Sequence, residues 1–382
     1  YFRAQNIYYT MAYLEFNKEE LVNLEYSLER EILLSNRAGG YVNTTIVGCN
    51  TRKYHGLLVV PIENFGGDKH ILLSTLHESL IQHGQSFNLG ITSYGDVYEP
   101  RGHKYIIDFE MDYASTITYR VGGMKFSKTI MFLRDTEEVL VKYTLLEAHS
   151  PTTLRIKPFL AYRNIHALTS ANTGANTRYT AVDNGVAFNM YEGFPTLNLQ
   201  LNKKNEFHFQ PDWYRGIEYP KEQERGYDFN EDLYVPGYFE IDIKKGETVV
   251  FSAGISEVST RTLKNKFDVE KEKRIPRDNF QHCLVNAAHQ FLNVQNGESY
   301  ILAGYPWFKC RARDLFISLP GLTLAVEEVD KFETVMETAR KAVLRFINDE
   351  PDDLKIYEME HPDVLMWAVW CIQQYAKMEQ YY

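Results

Sequence analysis

At Pro276 the hydrophobic pattern of this chain changes period, and that change limits what the chain can fold into. Up to about Ile255 apolar and polar residues alternate, and after Pro276 apolar residues recur every three or four positions. Alternation turns one face of a strand to a core, whereas helical spacing turns one stripe of a helix there. The sequence therefore predicts a large antiparallel β-sandwich over residues 1–257, a linker helix over 258–277 and an all-α domain over 278–382. At 382 residues the chain is long enough for two or three domains, at roughly 150 residues each.

Local signals fill in this outline. Leu14 to Leu34 is acidic and Leu-spaced, predicting one helix that ends at Gly39-Gly40. Thr116 to Arg120 and Lys125 to Phe132 flank Gly122-Gly123, a hairpin signal, and Val139 to Leu145 continues the alternation. Tyr238 to Ile243 and Thr248 to Ala253 flank Lys245-Gly246, which reads as a second hairpin. Ser259 to Arg274 carries charge of both signs before Ile275-Pro276 and reads as a solvated connector. Beyond it, Asn279 to Val294, Asp314 to Glu328, Lys331 to Ile347 and Pro362 to Met378 read as four helices.

Composition excludes several function classes. A net charge of −10 opposes nucleic acid or an anionic membrane as partner, since both need a basic surface. No stretch approaches the roughly 18 consecutive apolar residues of a membrane span. Cys49, Cys283, Cys310 and Cys371 are scattered without Cys-x-x-Cys or His spacing, so they read as reduced thiols of a cytoplasmic protein and not as a metal site. No signal peptide is evident, and Met11 reads as a start with Tyr1 to Thr10 upstream of it. The 27 Tyr and 22 Phe suit aromatic-rich sheets before they suit a ligand.

One stretch concentrates chemistry. Gly304 to Ala325 (GYPWFKCRARDLFISLPGLTLA) sets Tyr305, Trp307, Lys309, Arg311, Arg313 and Asp314 ahead of an apolar helix. Asp314 at that helix start is either an N-cap or a ligand-binding group. Aromatic faces beside Arg and carboxylate groups suit a sugar, whose C–H face stacks on a ring and whose hydroxyls take charged partners. Asp363 and Trp367, at i and i+4, share one face of the last helix, although a first-turn Asp with a core Trp would look the same. Gly39 to Leu58 adds Arg52 and His55 between two strands, where such residues more often shape a turn than bind. Trp213 to Gly237, rich in aromatic and acidic groups, reads alone as a solvated loop.

These stretches together resemble the bacterial and archaeal glycogen debranching enzymes. The chain shares GYPWF at Gly304 to Phe308, the pair Arg313-Asp314, LPGLTL at Leu319 to Leu324, and the run Asn50, Thr51, Arg52, Tyr54, His55 and Gly56. Trp213 to Gly237 is similar to a loop of the family's β domain that reaches toward the helical domain, which makes Trp213, Tyr214 and Glu218 weaker candidates for substrate contact. The chain departs where the family usually has Trp-Gly, with Arg311-Ala312 instead, and Asn348 to Lys355 lacks the usual Gly-Leu-Ile-Pro-Asn. The resemblance implies a β-sandwich followed by an α/α toroid, and cofactor-free hydrolysis of α-1,6-glucosidic branch stubs of glycogen to release glucose.

It also implies an α-glucan partner bound by Tyr305, Trp307, Arg311, Arg313, Asp314, Asp363, Trp367, Arg52 and His55. Glycoside hydrolysis needs two carboxyl groups. Asp314 is the first catalytic candidate, but beside Arg313 it suits an ionised anchor better than a proton donor. Four helices are about a third of a twelve-helix toroid, so the expectation is a partial toroid that is inactive alone, with the acid and base beyond Tyr382. A non-catalytic α-glucan-binding protein, a glucoamylase or a disaccharide phosphorylase remain as alternatives, and a homo-oligomer stays open.

Overall fold

The computed structural model describes residues 12–134, 136–351 and 354–379. Tyr1 to Met11, and with them the expected start, lie outside the described residues. The chain forms two compact units. The first takes the chain up to Asn36 together with Gly40–Asn279, and the second takes Arg37–Gly39 and the chain from Phe280.

Two antiparallel sheets make the first unit. One has nine strands, in the order Leu14–Asn17, Ile106–Met111, Ser115–Val121, Met124–Phe132, Glu138–Glu147, Thr248–Gly254, Leu197–Leu201, Gly185–Phe188 and Tyr179–Val182. The other has eight, running Glu206–Glu218, Asn230–Ile243, Thr152–Asn164, Asp68–Gln82, Gly56–Ile62, Tyr41–Thr45 and Glu31–Ser35, with Gln85–Asn88 beside Asp68–Gln82. Their inner faces bury Phe126, Phe132, Tyr143, Phe188, Phe239 and Phe251 completely. Each such side chain contributes about 1.5–3 kcal/mol.

The turn at Gly122-Gly123 has φ of 55° and 77°, the positive values that a tight two-residue hairpin requires and glycine supplies. The second expected hairpin does not form. Asn230–Ile243 pairs within the eight-stranded sheet and Thr248–Gly254 within the nine-stranded one, so the turn between them crosses the sandwich. Phe239 and Phe251 meet across the core with ring centroids 6.0 Å apart. Alternation specifies which side chains point inward, and here two inward faces meet instead of two edges pairing.

Two further expectations are corrected. The segment from Leu14 is a strand, two short helices, α1 (Lys18–Val22) and α2 (Leu24–Leu28), and the strand Glu31–Ser35, because Asn17 and Asn23 each cap a new start. The Asn17 side chain accepts from the N–H groups of Glu19 and Glu20 while Glu20 accepts from Asn17 N–H, a complete capping box. Nor is the charged stretch after Ser259 a free connector. After α3 (Pro220–Glu224), helix α4 (Leu263–Glu272) buries Leu263 and Phe267, one turn apart, against Leu140 and Val250 of the nine-stranded sheet.

Between the sheets Glu78 accepts from Tyr143 Oη at 2.6 Å and pairs with Lys128 Nζ at 2.8 Å, joining the layers by a buried polar clamp. Burial lowers the pKa of His55, His70, His77 and His103, with His77 brought down to about 3. His77 packs on Phe159 and meets Thr92 Oγ1 at 3.0 Å, and a Cβ on Gly90 would come within 2.5 Å of its ring. An unfolded imidazole takes up its proton below about pH 6.5. The unfolded state therefore binds more protons below that pH, and stability falls with pH until the folded pKa is reached. Urea denaturation is expected to give an unfolding free energy that declines from pH 7 to pH 4, with a shallower decline in His77→Gln.

The second unit holds α5 (Phe280–Phe291), a hairpin of Leu292–Gln295 with Glu298–Ile301, α6 (Ala312–Leu322), α7 (Val329–Ile347) and α8 (Val364–Glu379). Leu315, Phe316 and Leu319 of α6 pack with Phe332, Val335 and Ala339 of α7 and with Val364 and Cys371 of α8. Pro320 lacks the N–H that would continue α6, and the helix ends two residues later, where Thr323 Oγ1 donates to Leu319 O at 2.5 Å. The ring of Phe332 stacks on Tyr375 of α8 at 5.1 Å.

Candidate functional site

A two-residue parallel bridge organises the polar face of the second unit. Cys310 pairs with Ile356 and Arg311 with Tyr357, which brings the segment before α6 alongside the segment before α8. Ala312 is fully buried, so Arg311 and Arg313 leave the chain toward solvent on either side of it.

Arg313 donates to Asp363 Oδ1 from Nε at 3.2 Å and from Nη2 at 2.8 Å. Trp367 Nε1 donates to Asp363 Oδ2 at 3.2 Å, as the i, i+4 spacing allows. The Arg313 guanidinium, and after it the indole N–H, hold the Asp363 carboxyl below its usual range. Arg311 lies 3.3 Å from Glu358 Oε1 and 4.4 Å over the ring of Phe308. Trp307 and Phe308 are 36% and 39% exposed, while half-buried Tyr305 packs toward Phe291. Phe308 N–H donates to Gly304 O at 3.0 Å, closing the turn that presents both rings.

Asp314 is not an N-cap. Arg311 holds that position, the helix begins at Ala312, and Asp314 is the third residue of its first turn, exposed and making no side-chain hydrogen bond to another described residue. Nor does Arg313 pair with its neighbour, because its side chain reaches Asp363 instead. Glu358 is the residue that sequence reasoning missed. It stands in no motif, and only the bridge at Arg311 brings it to the cluster.

Arg52 and His55 belong to the first unit and lie in a loop whose carbonyls are held one by one. Thr51 O accepts from Lys221 N–H at 3.0 Å, Arg52 O from His55 N–H at 3.1 Å, Lys53 O from Arg163 Nη2 at 2.8 Å and Tyr54 O from Tyr41 Oη at 2.8 Å. His55 is fully buried, and its Nδ1 accepts from Thr51 N–H at 3.1 Å. Burial lowers its pKa and keeps it neutral, with the Nε2 proton facing Glu31 at 3.3 Å. Arg52 donates to Glu31 at 2.7 Å. Burial raises the Glu31 carboxyl, but His55 and Arg52 outweigh it and bring it to about 2. Both residues shape the loop.

Beneath that loop Arg163 and Glu231 form a buried ion pair, with side chains 4% and 0% exposed, and Tyr219 Oη donates to the same carboxylate. Burial opposes the Arg163 charge, yet Glu231 beside it raises the guanidinium's pKa above its ordinary value. Removing one partner leaves the other charge buried and uncompensated. Glu231→Ala is expected to destabilise the protein by about 3–5 kcal/mol in chemical denaturation. Arg313→Ala breaks an exposed pair and is expected to shift stability by less than about 1 kcal/mol in the same assay.

Among the described residues no group of His, Cys, Asp and Glu could hold a metal ion, and no helix is long and apolar enough to cross a membrane. A cavity of about 400 Å³ lies between α6, α7 and α8, lined by Phe316, Phe332, Met336, Ala368 and Ile372 among others. It contains neither arginine–carboxylate pair of the bridge region.

An exposed Trp307 close in sequence to two arginine–carboxylate pairs combines an aromatic face with charged hydrogen-bonding groups, which suits a sugar. Residues 30–250 match the family model described as glycogen debranching enzyme N terminal, and residues 284–382 match the one described as amylo-alpha-1,6-glucosidase. The first match alone covers more than half of the chain, which belongs to the glycogen debranching enzyme family. No curated protein matches it. Among solved structures it is similar to a bacterial glucoamylase complexed with acarbose, at 12% identity and TM-score 0.42, over 90% of this chain and 53% of that one. It is also similar to a putative aldose 1-epimerase from Escherichia coli K12, at 11% identity and TM-score 0.28, over 60% and 100%. A polysaccharide lyase matches at 12% identity and TM-score 0.24, over 59% and 31%. The chain thus spans about half the length of the glucoamylase.

Proposed function

We propose that this chain is the β domain and the opening part of the α/α toroid of a glycoside hydrolase that removes α-1,6-linked glucose stubs from glycogen. The observation that carries this reading is the cluster of Arg313, Asp363 and Trp367, with the exposed carboxylate of Asp314 next to Arg313 in the first turn of α6. Exposed Trp307 offers a ring to the C–H face of a glucose unit, and Arg313 and Asp363 offer fixed donors and acceptors to its hydroxyls. Asp314, with both oxygens open, accepts from two further hydroxyls. Hydrolysis needs one carboxyl group to protonate the leaving oxygen and a second to activate water. Asp314 serves as the anchor in this scheme and is neither the acid nor the base. The reaction needs no cofactor.

The direct test is binding of α-1,6-branched limit dextrin by the 382-residue chain, together with assay of glucose release. Binding without release is the expected result, with Asp314→Asn weakening affinity about tenfold, the cost of one charge-assisted hydrogen bond. An Asp314→Asn chain that binds dextrin as well as the parent would overturn the role given to Asp314. A parent chain with no affinity for dextrin would overturn the reading as a whole.

A further inference from the structure

Around the loop of Thr51 to His55 charge is matched pair by pair. Arg52 pairs with Glu31 at 2.7 Å, Arg163 with buried Glu231, Lys221 with Glu29 and Glu224, and Arg225 Nη1 with Glu222 Oε2 at 3.3 Å. Lys53, in the same loop, differs from these. It is 9% exposed, and its Nζ makes neither an ion pair nor a hydrogen bond to another described residue.

What surrounds that ammonium is aromatic. Lys53 Nζ lies 5.5 Å from the ring centroids of both Tyr54 and Tyr227. Tyr54 is buried and held at two points, its carbonyl by Tyr41 Oη at 2.8 Å and its own Oη against His166 Nδ1 at 3.3 Å. The Lys53 backbone is fixed as well, because its carbonyl accepts from Arg163 Nη2 at 2.8 Å. The guanidinium of Arg225 lies 4.9 Å over the ring of Tyr227, so two cations meet one ring. Gly226, with φ of 75°, turns the chain between Arg225 and Tyr227.

A charge withdrawn from water needs a counter-charge and hydrogen bonds in place of its hydration. A ring face attracts a cation but offers no acceptor oxygen to its N–H groups. Arg225 against the same ring adds a like charge, which disfavours the ammonium further. The position is therefore suited to an anion with several oxygens. A lysine ammonium is a compact point charge with rotatable donors, and a guanidinium is a planar fork, and both pair well with phosphate oxygens.

We propose that Lys53 and Arg225, beside Tyr227, bind a phosphate group on the first unit, carried either by inorganic phosphate or by a phosphate ester. Lys53 supplies the charge that no carboxylate of the described residues matches, and Arg225 supplies the second cation. None of the residues of the sugar cluster takes part.

Calorimetric titration of the 382-residue chain with sodium phosphate, at an ionic strength held constant with sodium chloride, tests it. Phosphate is expected to bind with a Kd of about 1 mM, and Lys53→Met to weaken it about tenfold or more. Lys53→Arg, which keeps the charge, should bind within about threefold of the parent chain. Arg225→Gln should weaken phosphate to a smaller extent, since Glu222 already shares that guanidinium. Without phosphate, the thermal midpoint of Lys53→Met should stay level or rise, because methionine keeps an apolar stem against the tyrosines and removes an unmatched charge. Titration with glucose 6-phosphate separates the two sources: tighter binding than phosphate assigns an ester, and equal or weaker binding assigns the free ion. A parent chain that binds neither compound would overturn the inference. So would phosphate affinity retained in Lys53→Met. A lowered midpoint in that variant, with binding lost in Lys53→Arg too, would overturn it by making Lys53 a structural residue of the tyrosine pair.

Discussion

The polar face of the second unit depends on the burial of one stripe of α6. Leu315, Phe316 and Leu319 are at most 1% exposed, and each contributes about 1.5–3 kcal/mol by leaving water. An exposed ion pair contributes about 0–1 kcal/mol. The apolar stripe therefore fixes the rotation of the helix, and the charged residues take the directions left to them. With Ala312 directed inward, Arg311 and Arg313 emerge together, and Asp314 follows on the exposed side of the first turn. The arginine pairs are a consequence of that rotation and contribute little to holding it.

The first unit uses charge differently. Arg163 and Glu231 are removed from water, and the cost is met by mutual attraction and by hydrogen bonds from Tyr219 Oη and Thr169 N–H. The guanidinium also donates to Asn164 O and to Lys53 O, so the buried pair holds the largely buried loop of Thr51 to His55. Neutral His55 completes the support from within. These bonds fix the shape of the loop from Thr51 to His55.

Local features of the fold were legible in the sequence. The Gly122-Gly123 hairpin was readable because a two-residue turn with positive φ is a property of those residues alone. Helix α7, expected over Lys331 to Ile347 and observed over Val329–Ile347, was readable because its apolar stripe repeats for several turns. The turn near Lys245-Gly246 was misread, since alternation cannot tell strands that pair at their edges from strands that face each other across a core. The segment from Ser259 was also misread, because two buried residues, Leu263 and Phe267, outweighed a surface full of charge.

For the site, the sequence determined the inventory: aromatic, arginine and carboxylate groups near the start of one helix, and Asp363 with Trp367 sharing a face of another. Those follow from side-chain chemistry and helical spacing, which are local. The partners were decided only by tertiary structure. Arg313 meets Asp363 instead of Asp314, and Glu358 joins Arg311, because a two-residue bridge between Cys310-Arg311 and Ile356-Tyr357 brings together segments more than forty residues apart. Long-range pairing of that kind depends on how the helices pack, and no periodicity in the chain encodes it.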